Sequence, residues 1–417
     1  MIRNGLSVIK KAKIWLACIV GTAVLTACDN GHRAKVVICV PVYGQSLAMG
    51  EEAELVTDID GLTDKWQGRL VGEGLGDAFG YYEDHGWKRQ VKRLLRYGKR
   101  RYENSAYSMG ETLAGIFGRD TMVCVFADGR GGTPISELVK GSEPYDALIH
   151  DIRTSYNEAR KKGMDFVVPA LCWMQGESDM YDYTGVDYLA LLGQFARDVN
   201  RDVKQITGQR RDVKIVTYQS CCMTKCRDFH PDDYDCHEIS VAQSQMQLIR
   251  DDSLFVAGTP VYFLDFVDER LHIDGKSQTA VGRYNAMAVA DIVRHGRCNG
   301  GLYPVSVVSI GNIVTVGFNH RDGLTFDTIQ VRKAENYGFC VITSDNRDIT
   351  EDVRLTQDGV VIRCSGNTNG CMVRYGCNGE SDKSGRLHGA RGNLVRRSDD
   401  AGLPQWCYIF SEQTTER

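Results

Sequence analysis

The 417-residue sequence carries no strong charge of either sign: 50 Lys and Arg stand against 54 Asp and Glu, a formal net charge of −4. A dedicated nucleic-acid binder declares itself by a basic excess, so no nucleic-acid partner is expected. Only one apolar run approaches membrane length, which excludes a polytopic membrane protein. Internal repeats and low-complexity tracts are also missing. What is plentiful is cysteine, 15 in all, a count that signifies disulfides only in an oxidising compartment. The length suits two domains of roughly 100–200 residues each.

The compartment is written at the N-terminus. Arg3, Lys10, Lys11 and Lys13 precede an apolar stretch over 14–27. That stretch is too short to cross a bilayer core of about 30 Å as a helix, and with its positive flank it reads as a secretory signal. Leu25-Thr26-Ala27-Cys28 resembles the bacterial lipobox, which implies cleavage before Cys28 and a lipid on its sulfur; the plainer alternative is an ordinary signal peptide with a chance cysteine. Loss of residues 1–27 removes four cations and no acid, taking the net charge from −4 to −8. The expectation is an exported bacterial lipoprotein anchored to a membrane, in the periplasm or at the cell surface.

Five short apolar runs, at 36–42, 122–127, 166–173, 213–218 and 261–267, have strand length and are mostly rich in Val, Ile or aromatics. Segments with helical spacing separate them. Leu148, Ile149, Ile152, Tyr156 and Ala159 form one stripe, Leu189, Leu192, Phe195, Ala196 and Val199 a second, and 275–295 closes the series. Such alternation predicts a parallel sheet covered by helices on both faces, with chemistry gathered at the carboxyl ends of the strands. After Cys298-Asn299-Gly300-Gly301 the pattern changes to short alternating segments, at 306–316, 325–331, 338–343, 359–364 and 372–375. A small antiparallel β domain, of sandwich type, is expected over 302–417.

The residues just after the apolar runs hold the candidate chemistry. The first run leads into Gly44-Gln45-Ser46-Leu47-Ala48-Met49-Gly50, a serine on a glycine-flanked strand-to-helix turn. The second leads into Asp128-Gly129-Arg130-Gly131-Gly132-Thr133-Pro134, whose glycines let backbone N–H groups approach a substrate oxygen. The third is followed by Trp173-Met174-Gln175-Gly176-Glu177-Ser178-Asp179, and the fifth by Asp268-Glu269-Arg270-Leu271-His272. Each signal alone is weak, because glycine-rich turns and exposed histidines are common. Together they supply the roles acyl transfer needs: a nucleophile, a base, a carboxylate to orient the base, and neutral donors for an oxyanion.

The order Gly-Gln-Ser, Gly-Gly-Thr, Trp-x-Gln-Gly-Glu-x-Asp and acid-x-x-His resembles the SGNH hydrolase superfamily, in its sialate O-acetylesterase and acetylxylan-esterase branch. The likeness spans 34–297, and residues 173–179 are its most specific part. It implies a flavodoxin-like three-layer α/β/α domain and a serine carbohydrate esterase that removes O-acetyl groups from glycans without a metal or organic cofactor. It further implies Ser46 as nucleophile and His272 as base. The oxyanion hole would combine the Ser46 amide, a glycine of the Gly-Gly-Thr turn (Gly132 preferred to Gly131) and the Gln175 side chain, with Glu177 bracing the loop. The branch usually places Asp three residues before the histidine. Here that position is Glu269, preferred as the orienting acid, with Asp268 as the alternative. Ile273 stands where proline commonly follows the histidine.

Rival readings remain open at this level. An esterase fold that has lost catalysis would be a glycan-binding surface lipoprotein, supported only by the unusual acid at 269; a long-chain lipase is disfavoured by the polar Gln-rich motifs and the absence of an apolar lid segment. Lys88, Arg89, Lys92, Arg93, Arg96, Lys99, Arg100 and Arg101 form a basic segment, a solvated helix face or a rim for carboxylated glycans. Cys221, Cys222, Cys226, Cys236 and His237 cluster without a compact zinc spacing, so a disulfide-stapled loop is expected rather than free thiols or a metal. Cys39, Cys124 and Cys172 fall in core strands as small apolar residues. Ala242-Gln243 resembles a helix segment of the branch without an assigned role. Residues 387–397 resemble a Gly-x-Arg-Gly-Asn-Leu-Arg segment of accompanying β domains, better read as packing than as glycan contact.

Overall fold

The computed structural model describes residues 36–66, 69–72, 102–181, 186–221, 223–224, 237–238, 240–380, 382–397 and 402–416. The signal and lipobox (1–28), the basic segment 88–101, and Cys222, Cys226 and Cys236 lie outside the described residues. Among the described residues no helix is long and apolar enough to cross a membrane.

Chain order runs β1 (Val36–Gly44), α1 (Ser46–Met49), α2 (Ile59–Lys65), β2 (Leu70–Gly72), α3 (Ser105–Ile116), β3 (Thr121–Gly129) and α4 (Glu143–Lys161). It continues through β4 (Asp165–Val167), β5 (Ala170–Met174), α5 (Glu177–Tyr181), α6 (Tyr188–Thr207) and β6 (Lys214–Gln219). The small hairpin strands β7 (Met223–Thr224) and β8 (His237–Glu238) precede α7 (Ser240–Asp251), β9 (Phe255–Pro260) and α8 (Gly275–His295). The main sheet is parallel, ordered β2-β3-β1-β5-β6-β9, with β4 also beside β1. Helices α3 and α8 pack on each other over one face, while α4, α6 and α7 follow in series over the other. Every residue of β3 and β5 is buried, as a sheet covered on both faces requires.

Local chemistry explains the element boundaries. The expected strand over 166–173 is split in two at Val168-Pro169. The partner strand carries Pro41, and β1 pairs with β4 over Val36, Val37 and Ile38 and with β5 over Val42, Tyr43 and Gly44. Pro41 thus lies where the ladder on that side is interrupted, and its missing N–H breaks no pairing there. Helix α6 begins on Asp187, whose side chain accepts from the Ala190 N–H, and ends on Gly208 with φ 71°; such caps stabilise a helix by about 1 kcal/mol. The stripe residues Leu192, Phe195, Ala196 and Val199 are all buried. Phe195 meets Trp173 at 4.7 Å and stacks on Tyr43 at 5.5 Å, contacts worth about 0.5–1.5 kcal/mol each beyond their burial.

The fifth strand differs from expectation. It is Phe255–Pro260, and the run 261–267 is instead a buried loop after it. Strand propensity is a statement about fitting a half-buried surface, and Val261, Tyr262, Phe263 and Leu264 bury themselves against the C-terminal sheets rather than in the ladder. Tyr262 donates to the Cys407 carbonyl at 2.8 Å, and the Phe263 ring stacks on Trp406 at 5.0 Å.

Beyond α8 the chain is built of β-sheets. One has five strands, ordered Thr350–Thr356, Gly359–Cys364, Ile313–Phe318, Pro304–Ile310 and Thr415–Glu416. Two three-stranded sheets comprise Phe339–Ile342, Met372–Tyr375 and Phe410–Gln413, and Leu324–Phe326, Leu394–Arg396 and Gln405–Trp406. The segment expected over 306–316 is a hairpin, and 325–331 is strand only at its start. The Gln219 side chain at the end of β6 fastens this region: its amide donates to the Ile409 carbonyl at 2.8 Å, and its oxygen accepts from the Ile409 N–H at 2.7 Å.

Candidate active site

The carboxyl ends of β1, β3 and β5 converge because glycines allow it. A Cβ on Gly44 would fall 2.0 Å from the Met174 carbonyl oxygen, and one on Gly129, at φ 140°, 1.8 Å from the Gly44 carbonyl oxygen. Only glycine permits these strands to close up immediately before Ser46. Gln45 then turns the chain: its side-chain oxygen accepts from the Gly176 and Ser178 N–H groups at 3.4 and 3.2 Å, tying the serine turn to the loop after β5.

Ser46 opens α1 and is 3% exposed. Its Oγ lies 2.8 Å from Nε2 of His272, and the other ring nitrogen, Nδ1, lies 2.7 Å from Oε2 of Glu52. The serine, histidine and carboxylate are therefore in line, the geometry a proton relay needs. Helix α8 fixes the histidine from behind: Asp274 caps it, accepting from the Ser277 N–H at 2.8 Å. Ile273 is fully buried and bridges to Phe266 in an antiparallel pair, and the Val267 N–H donates to the His272 carbonyl at 2.8 Å. The departure from proline thus fills a core position.

The carboxylate facing the imidazole is not the one the motif places there. Glu269 turns away from His272: its carboxylate accepts from Lys383 Nζ at 3.1 Å and pairs with His388 Nδ1 at 2.6 Å. Asp268 is exposed, with φ 52°, and no bond joins it to His272 among the described residues. Two consecutive left-handed residues, Asp268 and Glu269 at φ 55°, curl the loop so that both carboxylates leave the imidazole. Glu52 takes the place facing Nδ1, itself in a left-handed conformation at φ 65°. Its neighbour Glu51 also enters the site: a Cβ on Gly131 would fall 2.4 Å from its Oε1. Burial pushes the Glu51 carboxyl up, with the His272 ring opposing.

The oxyanion candidates are placed unequally. The Ser46 amide, first in its helix, has no intrahelical acceptor. Gly132, at φ 62°, has open space around it, and its N–H meets no acceptor among the described residues. Gln175 is fully buried, but its amide nitrogen donates to the Thr133 carbonyl at 3.3 Å and to Asp179 Oδ2 at 2.5 Å. With both N–H groups so directed, Gln175 holds the Gly131-Gly132-Thr133 turn in place rather than offering a donor of its own. Asp179 also accepts from the Ile135 N–H at 2.9 Å, bracing the far side of that turn. Glu177, 1% exposed, accepts from the Tyr218 hydroxyl on both oxygens, at 2.5 and 2.6 Å. Burial raises its carboxyl despite that bond, and it lies under the loop as a brace.

Reasoning from motifs missed several of these groups. Glu52 follows Ser46 by six residues in a turn, where carboxylates are ordinary surface residues; its only sequence signal was proximity to the serine. Gln245 is two residues from the noted Gln243: its amide donates to the Gln175 carbonyl at 2.8 Å, and its oxygen accepts from the Ser220 N–H at 2.9 Å. Gln243 itself accepts from the Ser411 N–H at 2.8 Å, joining α7 to the C-terminal sheets. The Gly-x-Arg-Gly-Asn segment is packing: Asn393 is fully buried and donates to the Asp327 and Val331 carbonyls at 2.9 and 3.0 Å, while Arg391 donates to those of Arg332 and Gly389 at 3.0 and 2.8 Å. The ten described cysteines are thiols, including Cys221 of the cluster where a disulfide-stapled loop is expected; Cys39, Cys124 and Cys172 are buried in strands. No metal-binding cluster occurs among the described residues.

Residues 106–291 match the family model described as carbohydrate esterase, sialic acid-specific acetylesterase. This segment is a carbohydrate esterase domain. Its class is that of carboxylic ester hydrolases. The match takes in Gln175, Glu177, Glu269 and His272, while Ser46 and Glu52 precede it. The likeness of fold extends over the wider chain, which is similar to the carbohydrate acetylesterase XAC1771 from Xanthomonas citri, with TM-score 0.59 and 15% identity, over 91% of this chain and 81% of that one. NanS, at TM-score 0.41 and 13% identity, covers 63% of this chain and 99% of its own. A protein from Arabidopsis thaliana, at TM-score 0.39 and 15% identity, covers 62% of this chain and 99% of its own. No curated protein matches this chain in sequence.

Proposed function

We propose that the chain is a serine carbohydrate O-acetylesterase, hydrolysing O-acetyl groups from glycans through an acetyl-enzyme. The observation that carries this reading is the Ser46–His272–Glu52 line, at 2.8 and 2.7 Å, beside a carbohydrate esterase domain. Ser46 Oγ attacks the acetyl carbonyl carbon while His272 Nε2 takes its proton, and Glu52 steadies the imidazolium through Nδ1. The Ser46 and Gly132 amides face the oxyanion, each worth about 3 kcal/mol in the transition state. Collapse expels the sugar oxygen, which receives the proton from His272. Water, deprotonated by the same nitrogen, then attacks the carbonyl carbon of acetyl-Ser46; the bond to Oγ breaks, His272 returns the proton to Ser46 Oγ, and acetate leaves. O-acetylated sialate and other acetylated sugars are both candidate substrates. The catalytically silent alternative loses its support, since Glu52 supplies the carboxylate that Glu269 does not.

Ser46→Ala is expected to abolish acetate release from a chromogenic acetyl ester while leaving the thermal transition in place; retained turnover would refute the assignment. A lipid on Cys28 is the proposed membrane anchor. Cys28→Ser should move the expressed protein from the membrane to the soluble fraction and remove labelling by radioactive palmitate. An unlabelled wild-type chain would rule the anchor out.

A further inference from the structure

The loop that carries His272 is gripped from outside the parallel-sheet domain. The Ser384 N–H donates to the Glu269 carbonyl at 2.8 Å, and the Arg386 N–H donates to the Leu264 carbonyl at 3.2 Å. Arg386 Nε donates to Asp265 Oδ1 at 2.6 Å, while Lys383 and His388 hold the two oxygens of Glu269. Gly385, at φ 86°, lets this segment lie against the loop: a Cβ there would fall 2.8 Å from the Leu264 carbonyl oxygen and 3.0 Å from the Phe266 ring. The gripped loop also holds two consecutive left-handed residues that bear a Cβ, Asp268 and Glu269, a feature it shares among the described residues with Asn336 and Tyr337. Such backbone persists only where its surroundings over-determine it.

We infer that residues 383–388 of the C-terminal region are a positioning element for the catalytic histidine, holding the 264–272 loop in the curl that aims His272 Nε2 at Ser46. Lys383, Arg386 and His388 act through Glu269 and Asp265, and none of them touches the reacting atoms. The carboxylate at 269 is thereby given a new use: the motif's acid has become the handle by which the second region sets the first region's base. The inference rests on the esterase reading for its turnover measurements but has a readout independent of it. The attack of Ser46 on a fluorophosphonate requires the same proton transfer to His272 and involves no glycan.

The test is the double variant Lys383→Ala/His388→Ala, whose side chains are partly exposed. Its kcat on an acetyl ester and its fluorophosphonate labelling rate are expected to fall together by about tenfold, since small misplacements of a catalytic group cost one to two decades. KM should stay level, and Tm should shift by no more than roughly 2 °C. The conservative pair Lys383→Arg/His388→Gln should restore the labelling rate. An unchanged labelling rate in a folded double variant overturns the inference, as does a loss that tracks unfolding in this variant and in both single ones. If wild-type enzyme is labelled but releases no acetate, the esterase reading fails while the labelling comparison still decides the positioning role.

Discussion

Two turns beside His272 carry carboxylates, and they are built on opposite plans. The 50–54 turn follows Ser46 directly, and Glu52 reaches Nδ1 from a side chain 61% exposed, with no hydrogen bond to the C-terminal region among the described residues. The 264–272 loop is fastened on several sides by residues 383–388, and its acid is engaged there. One turn supplies charge to the imidazole; the other supplies position. A motif that names an acid three residues before a histidine therefore identifies a place in the chain, while the backbone curl decides which carboxylate faces the ring.

The largest expected effect breaks this comparison directly. Glu52→Ala should lower kcat for acetate release by about 10²-fold with little change in KM, since it removes an interaction that strengthens as the imidazolium forms. The loss is smaller than for a buried triad acid because water at the exposed site substitutes in part. Glu269→Gln should cost well under tenfold, because its neutral side chain still meets Lys383 and His388 sites as a hydrogen-bonding partner. If the two variants rank in the opposite order under steady-state kinetics, the orienting acid is Glu269 and the loop rearranges in solution.

The parallel sheet, the helical stripes and the clustering of Ser46, Gln175 and His272 were legible because they follow from periodicity and from chemistry at strand ends. What stayed hidden depended on contacts far apart in the chain. Nothing near residue 269 announces Lys383 or His388, more than 110 residues away. The run 261–267 predicts a strand because buried loops against a second region and buried strands share the same apolar composition. Gln175 had the right residue type for an oxyanion donor, but Asp179, four residues on, takes its amide.

The smallest effect separates the two turns by pH. The hydrogen bond from His388, with Lys383 beside it, holds the Glu269 carboxyl below its ordinary 4.5. In the unfolded chain the same group takes up a proton first, so between the lowered value and 4.5 the unfolded state binds more protons and stability rises with pH. The stabilisation is fully present above 4.5 and is lost as pH falls through the folded value. The Tm advantage of wild type over Glu269→Gln should therefore shrink as pH is lowered from about 5 to about 3, by a degree or so given the exposure of the pair. Glu52→Gln, measured over the same range, compares a carboxylate whose partner is the His272 ring alone with one held by both Lys383 and His388. A wild-type advantage that stays constant across the range would mean that Glu269 is not ion-paired in solution, and that the grip on the His272 loop comes from the Ser384 and Arg386 backbone bonds and from Arg386 on Asp265.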